Sequence, residues 1–97
     1  MDKPNEIKIN TAVERRAFPR IAHHNDVRVF HPRFGEGMMK VRDFSDTGVY
    51  LWGRLSGEPK LDEVVEVQVQ GLPVEAPRVE AKIVRIEKTG LAFEFCN

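Results

Sequence analysis

The sharpest periodicity in the chain is Val65-Glu66-Val67-Gln68-Val69, where three valines alternate with two polar residues. Successive side chains of a strand point to opposite faces, so this stretch predicts a half-buried strand. Val27 and Val29 alternate similarly over about Asp26 to Phe30, ended by Pro32 and a turn at Gly35-Glu36-Gly37. Met38 to Phe44 is the next strand, with Met39 and Val41 on one face and Lys40 and Arg42 on the other. Val49 to Trp52 is too short and too aromatic for a helix, and one of the pairs Val49/Leu51 and Tyr50/Trp52 must face the core. Gly53 to Lys60 reads as a loop, and Gly71, Pro73 and Pro77 mark the connection after the valine strand. From Arg78 to Glu87 the pattern changes frame: Val79, Ala81 and Ile83 share one parity, Val84 and Ile86 the other, which predicts a β-bulge near Ile83. A hairpin turn at Glu87 to Gly90 leads into a last strand with Leu91, Phe93 and Phe95 on one face.

Six short strands separated by turn residues, with no long helical period, predict an all-β barrel or sandwich, and closure is favoured because it removes exposed edges. With 97 residues, 41% hydrophobic and 31% charged, the chain has the composition of one small globular domain. Residues 1 to 13 are expected to form a flexible lead-in and 14 to 97 the barrel domain. One cysteine, Cys96, excludes an intrachain disulfide and a Cys-x-x-Cys metal knuckle. There is no apolar leader or membrane-length run, so a cytoplasmic protein without membrane insertion is expected.

Charge changes this picture. The formal net charge is zero, but residues 1 to 42 carry nine Lys and Arg against five Asp and Glu, and residues 43 to 97 carry six against ten. A general DNA or RNA binder is basic overall, because phosphate neutralisation supplies most of its affinity. A neutral chain with one cationic segment points instead to a small anion. That segment is Arg15-Arg16-Ala17-Phe18-Pro19-Arg20, kept out of a helix by Pro19. Guanidinium pairs bidentately with phosphate oxygens or the guanine Hoogsteen edge, and it stacks on purines. A second stretch, Asp43-Phe44-Ser45-Asp46-Thr47-Gly48, brings a carboxylate that can accept the N1–H and N2–H of guanine, a hydroxyl, and a glycine that lets backbone approach a ligand. Alone, the first reads as a solvated surface loop and the second as an Asx-type β-turn with Gly48 at positive φ.

Together, Arg-x-x-x-Arg at Arg16 and Arg20 and Asp-x-Ser-x-x-Gly at Asp43, Ser45 and Gly48 resemble the two-part signature of the PilZ domain family over roughly residues 14 to 95. The resemblance implies a six-stranded antiparallel barrel, with the family's C-terminal helix apparently absent, so that residues 1 to 12 or a second subunit would have to cover one barrel end. It also implies a bacterial receptor for the second messenger cyclic di-GMP that changes conformation and signals to a partner protein. Arg16 and Arg20 would grip guanine edges and phosphates, Asp43 and Ser45 would hold a guanine, and Gly48 would allow close approach. Arg15, just before the motif, implies an intercalated ligand dimer. Two other readings stand beside this one: a degenerate barrel acting only in protein interaction, and a small OB-like oligonucleotide binder. The latter lacks basic and aromatic residues interleaved along strands four to six. The pair His23-His24 lacks further ligands for a metal, and no nucleophile–base spacing or phosphate loop suggests an enzyme. No resident cofactor is expected.

Overall fold

Alternation carries the fold from the first strand to the last. The computed structural model describes residues 25–96, and the arginine segment, His23-His24 and the lead-in lie outside that range. Six strands follow one another: β1 Asp26–His31, β2 Gly35–Phe44, β3 Gly48–Trp52, β4 Val64–Val69, β5 Val79–Ile86 and β6 Gly90–Phe95. They close into an antiparallel barrel in the order β1-β2-β3-β6-β5-β4, the architecture that the strand pattern and the family resemblance imply. Val27, Val29, Val41, Leu51, Val67 and Ile83 are fully buried inside it, and each such side chain contributes about 1.5–3 kcal/mol relative to exposure. Of the two candidate pairs on β3, Val49 and Leu51 join this core, and Tyr50 stands outside it.

Two departures from the expected layout have physical causes. Gly35 and Gly37 belong to β2 and the chain reverses over residues 32–34, with Gly35, at φ 85°, closing that turn opposite His31 and Gly37 lying beyond it in the strand. Gly37 serves packing, because a Cβ there would lie 2.7 Å from Cδ2 of Leu55. The second departure is a register shift in β2 between Val41 and Asp43, additional to the anticipated one, which falls between Ile83 and Arg85.

Both barrel ends are closed by loops among the described residues. Where β4 and β6 finish, the β4–β5 loop folds inward: Gln68 Nε2 donates to the Ala76 carbonyl at 2.7 Å, and Ala76 and Leu72 pack on the core. At the opposite end Leu55 inserts from the β3–β4 loop beside a polar knot. There His31 stacks on Phe34 at 4.1 Å, accepts the Arg33 amide on Nδ1 at 3.0 Å, and donates from Nε2 to Glu63 at 2.8 Å. Glu63 also accepts from the Lys60 amide and from Arg33. The His31 bond first, then the Lys60 amide and Arg33, hold its carboxyl at a pKa of about 2, below the ordinary range.

Candidate ligand-binding site

The site begins with the bulge in β2. In a regular strand Arg42 and Asp43 would point to opposite faces. Because Val41 pairs with Leu51 and Asp43 pairs with Tyr50, Arg42 is the extra residue of the shift, and both side chains come to the outer wall. Arg42 Nε donates to Asp43 Oδ2 at 2.9 Å, while Phe44 turns inward to pack on the core. That hydrogen bond raises the Arg42 pKa further above its ordinary value.

Immediately beyond, the corner is fixed by its own bonds. The Ser45 amide donates to the Gly48 carbonyl at 2.8 Å, the Thr47 amide donates to Ser45 Oγ at 3.2 Å, and the Phe95 amide donates to the Thr47 carbonyl at 2.8 Å. Ser45 Oγ also shares a hydrogen bond with Thr47 Oγ1 at 3.2 Å. The turn is thus of the serine type, with the hydroxyl mimicking a backbone carbonyl. Gly48 is not in the left-handed region, so positive φ does not explain this glycine. A Cβ there would overlap the Phe93 carbonyl oxygen, with the carbonyl carbon at 3.2 Å, so the glycine lets β3 and β6 come together. Asp43 and Ser45 remain exposed on the corner.

A row of paired residues crosses the outer wall beside it: Asp43 with Tyr50, Tyr50 with Ala92, Ala92 with Arg85. Tyr50 is only 3% exposed although it faces away from the core. The guanidinium of Arg42 lies 3.9 Å from its ring centroid and that of Arg85 lies 5.9 Å away, reaching over the small Ala92. Its hydroxyl donates to Glu87 at 2.9 Å and shares a hydrogen bond with Thr89 at 2.9 Å. Trp52 meets Tyr50 edge-on at 6.0 Å. Sequence reasoning passed over this cluster, although a signal existed: Phe44 breaks the parity set by Met39 and Val41 as Ile86 breaks that set by Ile83.

Only the second half of the sequence motif falls among the described residues. Asp43, Ser45 and Gly48 share the corner, and Arg15, Arg16 and Arg20 precede the described residues. The Val41 amide donates to the Asn25 carbonyl at 2.9 Å, so the residue that leads into β1 lies two positions from Asp43 along the neighbouring strand. Arg20 is five residues before Asn25, and five extended residues span at most about 18 Å. A surface hollow of about 440 Å³ lies at the other barrel end, between residues 53–59 and 86–91, and contains none of the corner residues.

A closed barrel with a filled interior and a preformed polar corner on its outer wall is a binding domain. Its family is shown by comparison: the PilZ domain matches residues 14–97, and the chain belongs to that family of cyclic di-GMP-binding domains. The family is one of binding and adaptor domains. A comparison with the curated proteins gave no match.

Proposed function

We propose that this chain is itself a cyclic di-GMP receptor. Asp43 and Ser45 hold one guanine at the corner, Arg16 and Arg20 grip its Hoogsteen edge and the phosphates, and Gly48 keeps the turn flush with β6. The observation that carries the reading is the hydrogen bond between Val41 and Asn25, which ties the root of the arginine segment beside the Asp43 turn. The chemistry is complementary: a carboxylate accepts the donors of guanine's Watson–Crick edge while guanidinium serves its acceptors and the anionic ring. Arg15 adds a guanidinium for the purine of a second, intercalated ligand, giving two cyclic di-GMP molecules per protomer. Wrapping of residues 15–20 around the nucleotide changes the surface offered to a partner protein, driven by the ligand's higher affinity for the wrapped state. An oligonucleotide track is disfavoured because Asp43, Glu87 and Glu94 bound the arginine–aromatic cluster.

Titration calorimetry against cyclic di-GMP, GTP and a short single-stranded oligonucleotide, at two salt concentrations, tests the reading. Cyclic di-GMP binds, with two ligands per chain, and Arg16→Ala, Arg20→Ala or Asp43→Ala weakens binding at least about tenfold, since a charge-assisted hydrogen bond contributes roughly 1.5–3 kcal/mol. A wild-type chain that ignores the cyclic dinucleotide overturns it. One ligand per chain removes the dimer alone.

A further inference from the structure

Among the described residues, Arg42 is the guanidinium that joins the Asp43 corner to an aromatic surface. Its Nε is bonded to Asp43 Oδ2 at 2.9 Å, and its Cζ lies 3.9 Å from the centroid of the Tyr50 ring and 5.5 Å from that of Trp52. The side chain is still 39% exposed, so the guanidinium packs against Tyr50 while part of it meets solvent. Among the described residues no further hydrogen bond is made by its terminal nitrogens. Tyr50, at 3% exposure, offers no ring surface of its own, whereas Trp52 is 38% exposed. An incoming base at this wall therefore meets guanidinium and indole.

Carboxylate acceptors take hydrogen bonds near their own plane. Arg42 Nε already bonds Oδ2 of Asp43, so a guanine edge that takes the remaining acceptor positions of the carboxylate would lie beside the guanidinium and not upon it. The face of Arg42 is left for a different base. We propose that the guanidinium of Arg42, backed by Tyr50 and flanked by Trp52, is a stacking shelf for a second purine of the bound cyclic dinucleotide, next to the guanine held by Asp43. The inference rests on the cyclic di-GMP reading above. Arginine stacks on aromatic planes through a delocalised, weakly hydrated cation. Here it is already tethered by Asp43 and seated on Tyr50, so stacking costs little further ordering of the side chain.

The test uses the whole chain, cyclic di-GMP as probe, and the single tryptophan as reporter. Arg42→Lys keeps the charge and removes the planar face, and Arg42→Ala removes both; thermal unfolding of each variant checks the fold. Wild-type Trp52 emission changes on saturation, and both variants bind about tenfold more weakly, with the emission change reduced. Arg42→Lys binding within about twofold of wild type, or Trp52 emission unmoved at wild-type saturation, overturns the shelf while leaving the receptor reading intact. A wild-type chain that binds no cyclic di-GMP fails at the earlier experiment and takes the shelf with it.

Discussion

Gly48→Ala separates a fold role from a ligand role at a motif position. The new methyl would overlap the Phe93 carbonyl oxygen and sit 3.2 Å from its carbon and 3.3 Å from the Glu94 Cα. All three are backbone atoms of β6, so no side chain can swing aside. Relief requires β3 and β6 to part at the point where the Phe95 amide donates to Thr47 and the Ser45 amide to Gly48. Overpacking costs about 1–3 kcal/mol, and weakening two backbone hydrogen bonds adds about 1 kcal/mol or more. A total near 2–4 kcal/mol lowers the melting temperature of a domain this size by roughly 10–30 °C, at about 4–8 °C per kcal/mol. Differential scanning calorimetry without nucleotide reads this directly, with Ser45→Ala as a control that alters the same turn without a clash. A Gly48→Ala melting temperature within about 3 °C of wild type would refute the packing argument and return the glycine to a ligand role alone.

Further outcomes follow from the barrel ends. Glu63 has a folded pKa of about 2, below the ordinary 4.3 of a free glutamate, so its contribution is present above about pH 4.5 and is lost as pH falls toward 2. Wild type should lose more stability than Glu63→Gln across that window in urea unfolding, and parallel pH profiles would count against the His31–Glu63 knot. Leu55→Ala removes the apolar plug seated over Gly37 and should cost about 2–4 kcal/mol by denaturant unfolding. Burial raises the Cys96 thiol pKa, so iodoacetamide should modify it more slowly at pH 8 than the same chain in denaturant.

The strands were legible because the barrel interior is apolar apart from His31 at one end: Val65, Val67 and Val69 on β4, and Leu91, Phe93 and Phe95 on β6, advertise the buried face residue by residue. The β5 bulge was legible from the change of parity between Ile83 and Ile86: Ile83 is buried, and the shift brings Ile86 opposite the core residue Leu91 although Ile86 itself stays exposed. The matching slip in β2 was harder to see. Only Phe44 signals it, and Phe44 sits inside a motif whose polar residues draw attention to chemistry. Missing it meant missing that Arg42 and Asp43 share the outer wall. Gly37 misled, because glycine marks turns by conformational freedom, as Gly35 does at φ 85°, and also marks tight contacts, as Gly37 does against Leu55. The corner's residues were evident as a set; their orientation depended on a register no local pattern records.

The shape of the barrel explains why one half of the motif cannot suffice. Its interior is packed and both ends are closed, so a ligand at Asp43 sits on a convex wall, whereas small-molecule sites bury 70–90% of their ligand. A convex surface reaches that coverage only if another segment folds over it, and the residues before Asn25 are the covalently nearest candidates. Replacing Arg15, Arg16 and Arg20 together by alanine removes three charged donors at roughly 1.5–3 kcal/mol each. Cyclic di-GMP affinity should then fall by at least about a thousandfold, while the melting temperature without ligand stays close to wild type because the core formed by the described residues keeps all of its apolar side chains. Calorimetry and thermal unfolding on the same preparation measure both. Retained affinity in the triple variant would mean that the wall binds the nucleotide unaided, and the requirement for a covering segment would be wrong.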